Sequence, residues 1–201
     1  MEAKQTRRER KKEETKLRIL NTALELFRRQ GFAATTIDQI TEAADVGKGT
    51  FYNYSGTKEA VIGFYIASET AKSRELLRPV IHQLPDTKSR LLTVMQSWTS
   101  FVRENREYVR VQMAEIFKLY LTMGVEEPDE FRFHYFLAEI INWGQSQGDV
   151  RKDISAEDMG RYLELLFFGP GSWYCAVSEE YPLEEKLSEA ISLFLEGAGH
   201  D

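Results

Sequence analysis

The densest run of chemically useful side chains is Lys48-Gly49-Thr50-Phe51-Tyr52-Asn53-Tyr54, a cation, a small residue, a hydroxyl, two phenols and an amide within two helical turns. Such a surface binds rather than catalyses. Lys48 can reach a phosphate or a guanine edge, Gly49 lets the backbone approach a partner, and Thr50 can bond a phosphate or touch a thymine methyl. Tyr52 and Tyr54 offer phosphate-directed hydroxyls, and Asn53 can pair with an adenine edge. Phe51 is expected to turn back into a core.

The elements that must position these groups are legible around them. Leu20, Ala23, Leu24 and Phe27 repeat at i, i+3, i+4 and i+7, which predicts a helix over 16–30 closed by Gly31. Thr36 with Gln39 makes a capping box ahead of Ile37, Ile40 and Ala44, so a second, short helix follows. Asp45-Val46-Gly47 breaks the pattern, with Gly47 expected to supply the backbone freedom of a tight turn. A third helix covers 48–54, Ser55-Gly56 ends it, and Thr57 can cap the next. Two short helices across a glycine turn, behind a longer one, form the helix-turn-helix plan, whose second helix enters the major groove.

The rest of the chain reads as longer helices over 58–82, 87–104, 106–122, 129–147, 156–178 and 183–196, with no convincing strand, so the expected fold is all-α. Gly169-Pro170-Gly171 is expected to kink or split the helix that contains it. The anticipated organisation is a basic N-terminal arm (1–15), a helix-turn-helix domain (16–60) and a larger helical domain (61–201).

Thr35-Thr36-Ile37, Ile40, Ala43-Ala44, Val46, Lys48-Gly49-Thr50-Phe51-Tyr52, Tyr54 and Thr57-Lys58-Glu59-Ala60 together resemble the DNA-binding segment of the TetR family of bacterial transcriptional regulators. The dense matches run over 17–62. Ser55-Gly56 departs from the family pattern, which usually has a bulky residue and a short polar turn there. The resemblance implies phosphate contacts from Thr36, Tyr52, Tyr54 and Lys58, and base-edge contacts from Lys48, Gly49 and Thr50, with Asn53 a further candidate. It also implies a homodimer paired through the last two helices, 156–178 and 183–196. A small-molecule effector held in the C-terminal domain would release an inverted-repeat operator in double-stranded DNA.

Charge and composition agree with this division. The 201 residues carry 26 basic and 32 acidic side chains, a net charge of −6, which excludes a protein that holds nucleic acid by bulk positive charge. Residues 1–60 nevertheless carry +3 and residues 61–201 carry −9. The stretch Arg7-Arg8-Glu9-Arg10-Lys11-Lys12 reads equally as a solvated tail or as a phosphate- or minor-groove-binding extension.

Most aromatics of the C-terminal part are core. Trp98, Phe117, Tyr120 and Trp143 are candidates for an effector pocket, and the scarcity of bases among them favours an apolar or cationic ligand. Cys175 lies in an apolar setting and reads as a small buried hydrophobe, suited to a reducing cytoplasm. His82, His134 and His200 have no metal-site spacing, Glu126-Glu127-Pro128-Asp129-Glu130 reads as helix-start acids rather than a cation loop, and no cofactor is called for. No apolar run approaches the roughly 18 residues of a membrane span. A helical enzyme is the rival from another class, but no nucleophile elbow, zinc helix, phosphate loop or complete dinucleotide fingerprint is present. A helical ligand-binding protein without DNA contact would leave the 48–54 surface without a purpose.

Overall fold

The computed structural model describes residues 6–122 and 133–198, without the side chains of 119–122 and 198. Among the described residues there are nine helices and no strand: α1 (Arg7–Gln30), α2 (Ile37–Ala43), α3 (Lys48–Tyr54), α4 (Lys58–Ile81), α5 (Thr87–Glu104), α6 (Arg106–Thr122), α7 (Phe133–Gln147), α8 (Ala156–Ala176) and α9 (Leu183–Ala198). They form two compact units, Met1–Tyr65 and Ile66–Asp201, the division falling within α4.

In the first unit, α1 starts at Arg7 rather than at Lys16. Thr6 and Glu9 form a reciprocal capping box, in which the Thr6 amide donates to Glu9 Oε2 at 2.7 Å and the Glu9 amide donates to Thr6 Oγ1 at 3.2 Å. The Thr6 amide, aided by the Thr6 hydroxyl, holds the Glu9 carboxyl below its ordinary pKa. The first turns bury nothing, so apolar periodicity could not reveal them. Further along, Ile19, Ala23, Leu24, Leu26 and Phe27 face a core completed by Phe32, Ile40, Ala44, Phe51, Val61 and Ile62.

The turn between α2 and α3 is made differently from expectation. Gly47 is extended (φ −71°, ψ 150°) and serves as the residue before α3, whereas Asp45 takes the left-handed conformation at φ 51°. Aspartate tolerates that region better than most residues. The Asp45 amide donates to Glu42 O and the Val46 amide to Thr41 O.

In the second unit α7 packs against α8, α5 against α7 and α9, and α8 also against α6 and α9. The core runs from Leu91, Val94 and Met95 through Leu137, Ile140 and Ile141 to Leu163, Phe167, Leu187 and Ile191. Close approach depends on small residues. A Cβ on Gly160 would lie 2.5 Å from the His134 carbonyl, and one on Gly171 would strike the Trp98 ring and lie 2.9 Å from Met113 Cε. Gly144 is hemmed in likewise by Thr87, Val150 and Asp149.

Of the two outcomes expected at Gly169-Pro170-Gly171, the split does not occur: α8 continues through Pro170 to Ala176. Packing of Trp98 and Met113 against Gly171 gives this stretch tertiary support that no local pattern announces. The Arg90 guanidinium, only 1% exposed, donates to the carbonyls of Ile81 and Leu84 and to Gln147 Oε1, which ties the end of α4 to α5 and α7.

Candidate nucleic-acid interface

The face of α3 is set by one anchor. Phe51 is fully buried, with its ring edge-on to Tyr52 at 5.9 Å, as expected of the one apolar residue in the run. Helical spacing then turns Lys48, Gly49, Tyr52 and Asn53 outward, all exposed, with Thr50 and Tyr54 half-buried at the margins. Tyr52 is 53% exposed, a large ring left in solvent although the core lies beside it. No atom comes within 4 Å of the place a Gly49 Cβ would occupy, so nothing in the protein requires a glycine there.

Lys48 is held from another helix. Its Nζ lies 2.7 Å from Asp38 Oδ1 in the first turn of α2, and this hydrogen bond, with the carboxylate charge, raises the lysine pKa above its ordinary value. Ten residues of separation and a turn lie between the two, so no periodic pattern in the sequence signalled Asp38.

Thr36 caps α2 as the sequence predicts: the Gln39 amide donates to Thr36 Oγ1 at 3.2 Å and the Thr36 amide to Gln39 Oε1 at 2.9 Å. Gln30, at the end of α1, donates from Nε2 to Gln39 Oε1 and to Thr35 Oγ1, while Thr35 Oγ1 donates to Gly31 O. Thr35 is buried. The start of α2, and Thr36 with it, is therefore fastened to the end of α1.

Lys58 adds a third fastening. Its Nζ donates to Phe32 O at 2.9 Å and Thr35 O at 3.0 Å and lies 4.3 Å from the centre of the Phe32 ring. Two of the three N–H groups of the ammonium are thereby engaged. The clasp spans 26 residues, and sequence reasoning that saw a phosphate ligand in Lys58 missed it. At the other end of α3 the unusual Ser55-Gly56 closes the helix: the Ser55 amide donates to Phe51 O, the Gly56 amide to Tyr52 O, and Gly56 is left-handed at φ 69°. Thr57 Oγ1 then accepts the Ala60 amide and caps α4.

The four effector candidates have unlike surroundings. Trp98 packs edge-on to Phe167 at 5.5 Å and against Gly171, whereas Trp143 is covered by the Arg90 guanidinium at 3.9 Å and stands 4.4 Å from the His82 ring. Phe117 is 59% exposed. The Tyr120 side chain lies outside the described residues, as do Glu126-Glu127-Pro128-Asp129-Glu130 and His200. Cys175 is buried, and that burial pushes its thiol up to about 11.

Residues 19–63 match the family described as bacterial regulatory proteins, tetR family. An uncharacterized HTH-type transcriptional regulator of Bacillus subtilis, YerO, is 37% identical over 169 residues, a match covering 77% of this chain and 57% of that protein's length. The HTH-type transcriptional regulator UidR of Escherichia coli K12 is 24% identical over 155 residues, covering 77% of this chain and 79% of UidR. Among solved structures, Thermus thermophilus FadR, a TetR family transcriptional repressor in complex with lauroyl-CoA, superposes with a TM-score of 0.81 at 31% identity, covering 90% of this chain and 94% of that one.

Proposed function

The chain belongs to the TetR family of transcriptional regulators, and on that premise we propose that it is a homodimeric repressor that reads an inverted-repeat operator through paired α3 helices and is released by a small-molecule effector. The observation that carries the reading is the outward face of α3, where Lys48, Gly49, Tyr52 and Asn53 stand exposed around a fully buried Phe51. In this reading Lys48, Gly49, Thr50 and Asn53 meet base edges, while Thr36, Tyr52, Tyr54 and the remaining N–H of Lys58 meet phosphates. In the same reading the exposed bases of the first turns of α1 add further phosphate contacts. Binding, not catalysis, is its work, and the cytoplasm is its place. Among the described residues no helix is long and apolar enough to cross a membrane.

Two further features support the proposal. Tyr162, Leu165 and Trp173 on α8, Val177 just beyond it and Leu193 on α9 are large apolar side chains exposed in the single chain, as a pairing surface requires. For the effector, similarity to FadR makes lauroyl-CoA the first probe. Its chain fits the apolar expectation, and its anionic head runs against the expectation of an apolar or cationic ligand.

Selection of bound fragments from random DNA tests the reading. It should return one inverted repeat with half-site centres about one helical turn apart, roughly 34–36 Å. Recovery of no sequence would refute it. Lauroyl-CoA should weaken operator binding where coenzyme A alone does not, and should itself bind the DNA-bound dimer more weakly by the same factor. A long-chain quaternary amine acting in its place would assign the cationic alternative.

A further inference from the structure

Lys48 occupies the first position of α3, among backbone N–H groups that have no partner within the helix, an unfavourable place for a cation. The helix supplies no compensation of its own. Gly47 ahead of it has no side chain, and the first turn of α3 holds no acid. Compensation comes from Asp38 on α2, at 2.7 Å, with the side chains of Lys48 and Asp38 60% and 68% exposed. A pair so open to water adds little to stability. Its significance lies in where it stands, beside Gly49 on the face that α3 turns outward.

We propose that Asp38 is a specificity-determining residue that holds the Lys48 ammonium for a base edge and withholds it from the phosphates of unrelated DNA. The inference rests on the reading of α3 as the DNA-contacting helix. An ammonium with its carboxylate in place has two N–H groups left, enough for the O6 and N7 acceptors of a guanine edge. Because it already carries its anion, it displaces no counterion from the duplex when it docks there, and so adds nothing to sequence-independent affinity. A phosphate that seeks the same ammonium must displace the carboxylate and is repelled by it. Asp38 thus makes Lys48 sensitive to what lies in the groove rather than to charge alone.

The test uses the full chain and two duplexes of equal length, the selected operator and a scrambled sequence, with affinity measured across a series of salt concentrations. In Asp38→Asn the scrambled duplex should be bound more tightly, with a salt slope steeper by about 0.9 for each additional phosphate neutralised, hence about 1.8 for a dimer. Discrimination between the duplexes should fall about fivefold or more, the lower end of what one base-edge pairing carries. Asp38→Glu should restore discrimination, and Asp38→Ser, another short polar residue in the first turn of α2, should repeat the loss. In a Lys48→Gln background Asp38→Asn should change nothing further. An unchanged ratio, or the same change without Lys48, overturns the proposal. Failure of the unaltered protein to prefer any duplex would instead overturn the regulator reading on which it rests.

Discussion

Gly49 shows how a single residue can separate folding from function. Alanine is the better helix former by up to about 1 kcal/mol, and open space surrounds the missing Cβ. Gly49→Ala should therefore melt no lower than the original protein, and up to a few degrees higher, while operator affinity falls tenfold or more as the backbone is held off the groove. Calorimetry paired with fluorescence anisotropy reads both, and unaltered affinity would remove Gly49 from the interface. At this scale the sequence was informative wherever the cause is local. Phe51 had to face inward and Thr36 had to cap, because apolar spacing and capping chemistry act within four residues. Asp38 and the Lys58 clasp were illegible, since each joins groups brought together only by the fold. Asp45 was hidden for another reason: glycine is the stronger signal for a left-handed turn, and Gly47 stood two residues away.

Among the elements, the helical path from α2 onward was legible from buried stripes, from caps and, at α3, from the single inward Phe51 after the glycine turn. The early start of α1 was not, since its first turns are solvated on every side and held by the Thr6–Glu9 capping box. This helical extension bears Arg7, Arg8, Arg10, Lys11 and Lys12, all exposed. Removing residues 1–12 should leave the melting temperature nearly unchanged, because the first buried side chain of α1 is Ile19. It should weaken binding to every duplex alike, flattening the salt slope by about 0.9 for each phosphate that the extension had neutralised. The selected consensus should stay the same. An unaltered slope would mark the extension as a solvated helix end without a part in DNA binding. For α8 the span was legible, but local rules left open a split at Gly169-Pro170-Gly171 that does not occur, and the packing of Trp98 and Met113 against Gly171 is a tertiary contact they do not announce.

At the scale of the whole molecule, charge and apolar exposure divide the tasks. In the proposed reading, the net −9 of residues 61–201 repels a duplex and leaves contact to the basic first unit. In the same reading, the large apolar side chains exposed on α8 and α9 are what the acidic unit offers a second copy. Leu165→Glu with Trp173→Glu changes side chains that are 61% and 57% exposed in the single chain, so the fold should survive. Sedimentation should then show monomers, and operator affinity should fall by orders of magnitude, because the two half-sites are no longer joined. A monomer that keeps full operator affinity would refute a two-headed reader. The glycines carry a consequence of another kind. Positions 47 and 49 have open space around them, whereas Gly144, Gly160 and Gly171 are each pressed by neighbours that would have to move. Substitution at these two open positions is therefore cheap in stability, and substitution at the helix crossings of the larger unit is not. A lineage descended from this chain can acquire new operators faster than it can rebuild the body that carries its reading heads.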